Sequence, residues 1–442
     1  MLLDAHGHAL SGATPEAVPH LDKAVRAFAL VFGDLLGHYD AAIKAAPNLV
    51  FAHLGKAWAL SLANDPLTAD RGKAIIEGAR EFNMNERERV HFAALSKALE
   101  GQRTSAVAIL ERHLMSHPFD LVAHMAAMQM DGHLGRFGNA RDRSARALPR
   151  WSERQPGFGL ILSFYGFGLE ESGEYARAEA TARRAAELEP YNYWPHHCVS
   201  HVLEMTGRPT EGLVWMDSRE PFWSGKEANN RAHIWWHKAL FHVELGEYDK
   251  ALALFDGPIS GTMRPLAMSM CNLPALLWRL EALGCNPGRR WHKLSPVWDG
   301  HTDGKLCVFT DIHAAMIELR TGAGEAVERR VATMGETANG TGENAEIYGR
   351  IGLPVVEALT AFSDGRYAEA VEALLLVRPY LWRMGGSHAQ RDVIEWTLAE
   401  AAGRAGRGMR DVAISLANER LGQRPDSKPN QHFLRQAQAI AA

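Results

Sequence analysis

The chain has 442 residues, 46% of them hydrophobic and 23% charged, and a formal net charge of -4. That length exceeds one compact core of ordinary size, so either several domains or one array of repeats must carry it. The lack of a basic excess excludes nucleic acid and anionic membrane surfaces from the expected partners, and no window approaches the roughly 18 consecutive apolar residues of a membrane helix.

At the N-terminus, MLLDAHGHALSG carries an acid at position 4 and no apolar run of signal-peptide length. Its DAHGH segment (4–8) mimics the H-x-H metal pair of amidohydrolases. No strand pattern precedes it and a helix start, Thr14-Pro15-Glu16, follows, so it reads as structural. GHYDAAIKAAPN (37–48) reads as a first repeat with Gly37 at its turn, and an irregular stretch then runs to residue 100, with His91 on the inner stripe of a helix.

From Gly101 onward a regular frame appears. GQRTSAVAILERHLMSHP (101–118), GEYARAEATARRAAELEP (173–190) and GEYDKALALFDGPI (246–259) each begin with Gly, place Ala five residues later and continue with helical periodicity. The frame recurs at Gly135 with Ala140, Gly365 with Ala370 and Gly408 with Ala413. Weaker copies start at Gly207, Gly284 and Gly322, where Gly212, Arg289 and Val327 replace the Ala.

Successive turn glycines are 34 to 43 residues apart, close to the roughly 34-residue tetratricopeptide period. A left-handed Gly ends helix A, the small Ala lets helix B pack close, and Pro stops helix B. The expected fold class is therefore all-α, an α-solenoid (superhelix) of about ten to eleven tetratricopeptide-like helix-turn-helix repeats with no β-sheet. It is expected as a single domain over 1–442, with irregular repeats in 1–100, regular repeats in 101–256, and irregular repeats with insertions in 257–442. Residues 216–230, 286–305, 333–348 and 382–391 are too long or too rich in Gly, Pro and Trp for simple turns, so they read as insertions.

With each turn Gly as the fifteenth place of a repeat, WPHHCVSHVLEM (194–205) puts His197, His201 and Glu204 at places 5, 9 and 12 of helix A. In tetratricopeptide proteins generally, these places line the concave groove. NNRAHIWWHKALFHVELG (229–246) adds His233, Trp236 and His237, DIHAAMIELRTG (311–322) adds Asp311 and His313, and MGGSHAQRD (384–392) adds His388, Arg391 and Asp392.

Two histidines at i, i+4 can chelate a divalent ion, and a carboxylate one turn later can be a third ligand or a base. His197, His201 and Glu204 are therefore the candidate metal ligands, for zinc, manganese or iron, although the H-E-x-x-H order is missing. Histidines in a tight repeat array also serve simply to satisfy polar groups. For the whole set that account weakens, because a solvated groove would more cheaply use Lys, Glu and Asn. The candidate acid–base residues are His197, His201, Glu204, His237, His313, His388 and Asp392. Candidate substrate contacts are His233, Trp194, Trp236, Asp311 and Arg391, with Trp278 and Trp382 as further walls and repeat packing as the competing role for every tryptophan. GAGEAV (322–327) misses the dinucleotide fingerprint, no Ser or Cys stands in a nucleophile elbow, and Cys198, Cys271, Cys285 and Cys307 lack any C-x-x-C spacing.

The chain resembles the tetratricopeptide repeat protein 38 family. The residues that carry the resemblance are the opening D-x-x-G-x-x-L-S, then WPHHCVSHVLEMTGRPTEGLVWM (194–216), WWHKALFHVELGEYDKALALFD (235–256), LWRLEALG (277–284), FTDIHAAM (309–316), GLPVVEALTAF (352–362) and MGGSHAQRD (384–392). The resemblance implies the repeat fold along almost the full length and carries no catalytic residue with it.

The expected function is a concave, His-rich pocket that binds a small polar molecule and processes it by His/Glu acid–base chemistry, hydrolysis or elimination, with a divalent metal as an optional aid. The rival is a non-catalytic scaffold that holds a peptide or protein partner. Exposed faces of the B helices would allow a homodimer, and the unpaired cysteine pattern points to the cytoplasm.

Overall fold

The computed structural model describes residues 2–441. Among them there is no β-strand, and the isolated antiparallel bridges join Leu3 with Ala9 and Phe32 with Ala228. The fold is all-α, an α-solenoid built from tetratricopeptide-like helical hairpins. They include Glu86–Leu99 with Arg103–Ser116, Phe158–Glu170 with Tyr175–Leu188, Tyr193–Met205 with Pro209–Trp223, Arg231–Glu244 with Tyr248–Leu254, Val308–Thr321 with Gly324–Ala338, and His388–Arg404 with Arg410–Gln423.

The hairpin turns repeat one geometry. Gly101, Gly135, Gly173, Gly207, Gly246, Gly284, Gly322 and Gly365 all have φ between 66° and 81°. The residue after the glycine donates its amide five residues back, as in Gln102 to the Lys97 carbonyl (2.9 Å), Arg208 to Leu203 (2.8 Å) and Arg366 to Ala361 (2.8 Å). That bond satisfies a carbonyl the ending helix would otherwise leave open. Five residues after the turn, Ala106, Ala140, Ala178, Ala251 and Ala370 are buried. At Gly212 even a methyl is too large, because a Cβ would come within 2.4 Å of the Phe241 ring.

Some details depart from the sequence frame. Gly37 lies inside the helix Leu35–Ala45, where its amide donates to the capping Asp34 carboxylate at 3.0 Å, and the turn is made by Gly33 with φ 86°. Near Gly408 the left-handed residue is Gly406, with φ 80°. The expected insertion at 216–230 is helical as far as Trp223 despite Pro221, because Met216 and Trp223 are buried and burial outweighs local propensity. Likewise, Gly324–Ala338 runs into the expected break at 333–348.

The chain divides into two compact units. The first comprises Met1–Val199 and Arg219–Asn230, and the second Ser200–Ser218 and Arg231–Ala442. In the first unit the 224–229 loop is tied to the turn at 31–33, with the Gly33 amide on the Glu227 carbonyl at 2.8 Å and the Asn229 amide on Val31 at 3.1 Å. In the second, Trp236, Trp278, Phe309, Ile312, Leu359 and Trp396 belong to one apolar core. Among the described residues, no helix is long and apolar enough to cross a membrane.

Candidate functional site

The site is built in the second unit from three helices. Tyr193–Met205 supplies His201 and Glu204, Arg231–Glu244 supplies His233 and His237 one turn apart, and Asn272 opens Asn272–Ala282. All five side chains are buried. They form a hydrogen-bonded chain with His233 Nδ1 on Asn272 Oδ1 at 2.7 Å, His237 Nε2 on His233 Nε2 at 3.2 Å, and His237 Nδ1 on Glu204 Oε2 at 3.2 Å. The His201 ring lies 4.6 Å from that of His237, and Trp236 stacks on His233 at 5.3 Å.

The direction of this chain follows from its first link. Asn272 Nδ2 donates to the Ser269 carbonyl at 2.8 Å, so Asn272 Oδ1 faces His233 and must accept the Nδ1 proton. Neutral His233 then has only a lone pair on Nε2, and His237 must donate its own Nε2 proton to it. That leaves the His237 Nδ1 lone pair facing Glu204. The contact therefore needs one more proton, held either by Glu204 as a neutral carboxylic acid or by His237 as imidazolium beside a carboxylate.

Burial decides how that proton is held. It pushes Glu204 up to about 7, against the pull of His201, Arg424 and Arg279. Burial also lowers His233 to about 4 and His237 well below the usual imidazole range, with His201 and His233 adding to the effect on His237. The neutral acid–imidazole pair is thus favoured. Arg279, only 1% exposed, donates to the carbonyls of Ala275 (3.0 Å) and Ala389 (2.6 Å). Its guanidinium lies 5.5 Å from the Trp236 ring and 5.9 Å from that of Trp396, and burial brings it down to about 10. Among the buried polar atoms of this unit without a hydrogen-bond partner among the described residues are the indole Nε1 of Trp236 and Nε2 of His313.

The remaining candidate residues have the following contacts. His197, in the first unit, stacks between Tyr193 (4.9 Å) and Phe167 (5.0 Å), and Trp194 packs on Phe164 and Phe167. Glu204, expected as a metal ligand beside His197 and His201, turns its Oε2 to His237. His313 donates Nδ1–H to the Phe309 carbonyl at 2.7 Å, because that acceptor is one turn back on its own helix. His388 is half-buried at a helix start capped by Ser387.

Asp392, a candidate acid–base residue, accepts from Arg420 at 2.8 and 3.1 Å, Arg424 at 3.0 Å and Trp396 at 2.9 Å. Those cations hold it far below the ordinary carboxylate range against the effect of burial. Arg391 donates to the Gly386 carbonyl, as its place four residues after the Ser387 cap allows. Asp311 is held by Arg330, the Tyr348 hydroxyl and the Gly304 amide. Trp278 donates to Thr397 at 2.9 Å beneath the Arg320 guanidinium, and Trp382 is 40% exposed.

Sequence reasoning missed Asn272 and Arg279. For Arg279 a signal existed, since LWRLEALG (277–284) sets a lone Arg within an apolar helix, where a cation needs a reason to be buried. It also missed a second His cluster in the first unit. There Asp120 accepts from Arg87 at 2.6 and 3.2 Å, His91 at 3.0 Å and His113 at 3.0 Å, and Arg87 also donates to Asp4 at 2.9 Å. Trp58 donates to His91 Nδ1 at 3.1 Å, so the Nε2 proton of His91 points to Asp120. Asp120 lies well below the usual range, since Arg87 and the histidines outweigh its burial.

No protein-family model matches the chain. Among solved structures it is similar to a monomeric mutant of IFIT1 with Gppp-AAAA, at 13% identity and a TM-score of 0.42 over 97% of this chain and 96% of that one. It is also similar to the human IFIT1 dimer with m7Gppp-AAAA, at 12% identity and a TM-score of 0.42 over 98% of this chain and 96% of that one. No residue of the site is assigned from this likeness.

Proposed function

We propose that the His201–Glu204–His233–His237 face of the second unit is a pocket that binds a small polar molecule and moves a proton on it, in a hydrolysis or an elimination. The observation that carries this reading is the directed chain from Asn272 through His233 and His237 to Glu204, which ends in an acid and base sharing one proton. The unpartnered Trp236 Nε1 offers a donor beside it, and buried Arg279 supplies a positive field suited to an anionic group on the substrate. The resemblance to the tetratricopeptide repeat protein 38 family supports placing the chain with that family, and the unpaired cysteine spacing supports a cytoplasmic location.

The test is a thermal-shift screen of the chelator-treated full chain against small carboxylates, amides and phosphate esters. A subset should raise the melting temperature of wild type and fail to do so for Glu204→Gln and Trp236→Phe. No shift with any compound, or the same shift in both variants, would refute the pocket.

One feature favours the scaffold reading. The second unit also has a groove of about 960 Å³ lined by Val327, Val331 and Ala358 together with Glu328, Glu357 and Glu369, a chemistry suited to a basic amphipathic peptide. Fluorescence titration with a Lys/Leu model helix should show saturable binding that Glu357→Lys weakens. Absence of saturation would remove this alternative.

A further inference from the structure

Building on the functional face proposed above, we infer that His201, His233 and His237 form a site for one divalent transition-metal cation of the zinc class. Two imidazoles that bind a tetrahedral ion at about 2.0–2.1 Å hold their nitrogens about 3.3 Å apart. The Nε2 atoms of His233 and His237 stand 3.2 Å apart, so this pair is at chelating separation with no backbone movement. A swing of roughly 35° at each nitrogen converts the N–H···N contact into two metal bonds. His201 completes the set, its ligand nitrogen lying within 4.8 Å of the other two.

The groups behind the ligands fit the same assignment. Metal-bound histidines almost always donate their remote N–H to a carboxylate or carbonyl oxygen. Here His233 faces Asn272 Oδ1 at 2.7 Å and His237 faces Glu204 Oε2 at 3.2 Å. The ion takes the place of the hydrogen on His237 Nε2, which is lost to solvent, while the proton shared with Glu204 settles on His237 Nδ1 and is donated to the Glu204 carboxylate. Three neutral imidazoles backed by one carboxylate suit zinc, cobalt, nickel or copper over magnesium or calcium.

The Trp236 ring packs on both ligand histidines, at 5.3 Å from His233 and 4.9 Å from His237. In the first unit, His91, His113 and Asp120 also bring ligand atoms within 4.8 Å of one another, but they are tied to each other and to their neighbours. His91 and His113 both spend Nε2 on Asp120, and Trp58 occupies His91 Nδ1.

The probe is cobalt(II), followed by zinc(II), titrated into the full chelator-treated chain, with visible absorption and calorimetry as readouts. Wild type should take up one cobalt ion with the intense d–d bands of a tetrahedral site, which zinc then bleaches. His233→Gln/His237→Gln should weaken uptake at least a hundredfold, and Asn272→Ala about ten- to hundredfold. His91→Gln/His113→Gln should leave stoichiometry and spectrum unchanged. No tetrahedral spectrum in wild type would overturn the site without recourse to any variant, and so would uptake unchanged in a folded His233→Gln/His237→Gln chain. Ion uptake with no ligand in the thermal-shift screen would keep the metal site and overturn the acid–base pocket. Ligand binding without ion uptake would do the reverse.

Discussion

Each of the two units buries a knot of histidines, and the two knots differ in how their protons are spent. In the first unit, Arg87 brings a full positive charge to Asp120 and Asp4, and Trp58 fixes the tautomer of His91. In the second, the His237–Glu204 contact needs a proton beyond those that the neighbours fix, and an indole N–H beside it has no acceptor among the described residues. Burial is alike in the two. Donor and acceptor bookkeeping separates a fastening from a site.

The largest way to test that contrast is to open the first knot. Asp120→Ala would leave Arg87, His91 and His113 without their shared acceptor, and the loss should be about 3–5 kcal/mol, read as a lowered denaturation midpoint. A loss below about 1 kcal/mol would mean that the first knot is no fastening.

Next in size is an acid effect in the same unit. Burial, with Arg143 adding to it, lowers His124 to about 3, so the imidazole is neutral in the folded chain and takes up a proton on unfolding below about 6.5. The stability this contributes is present above pH 6.5 and is lost as pH falls from there toward 3. At pH 4.5 the loss is of order 2–3 kcal/mol. His124→Gln keeps a donor for the Pro118 carbonyl, which His124 meets at 3.1 Å, and should flatten that slope in melts at stepped pH. An unchanged slope would show that His124 is not the group titrating.

In the second unit, Glu204→Gln should lower metal affinity about ten- to hundredfold, or about 1.4–2.8 kcal/mol, in a calorimetric zinc titration. An unchanged affinity would remove Glu204 from its place behind His237. The smallest expected effect is on stability. His237→Gln offers both a donor and an acceptor to its neighbours and should cost no more than about 1 kcal/mol in the metal-free chain, as sites held for function commonly do. A loss as large as that of Asp120→Ala would mean that the two knots are the same kind of object.

The hairpin frame was legible in the sequence because it is local. A left-handed Gly and an Ala five residues on are demanded by one turn and one helix contact, and the structure has both at Gly101, Gly135, Gly173, Gly246 and Gly365. The placing of His197, His201 and Glu204 on one helix and of His233 and His237 on the next was legible for the same reason, being set by helical spacing. What was not legible depends on partners distant in sequence. Whether Asp392 faces a histidine or Arg420 and Arg424 is decided by contacts 28 and 32 residues away. Likewise, the role of Asp120, which in HPFDLV (117–122) looks like an ordinary helix cap, depends on Arg87, 33 residues earlier.

The most direct measurement is nitrogen-15 NMR of the histidine rings in the full chain, before and after one equivalent of zinc, with each residue assigned by single substitution. Without metal, His91 should carry its proton on Nε2 and His233 on Nδ1. With zinc, the Nε2 signals of His201, His233 and His237 should move to metal-bound values while His91 and His113 stay in place. Movement of His91 and His113, or no movement in the second unit, would contradict the division of the two clusters into fastening and site.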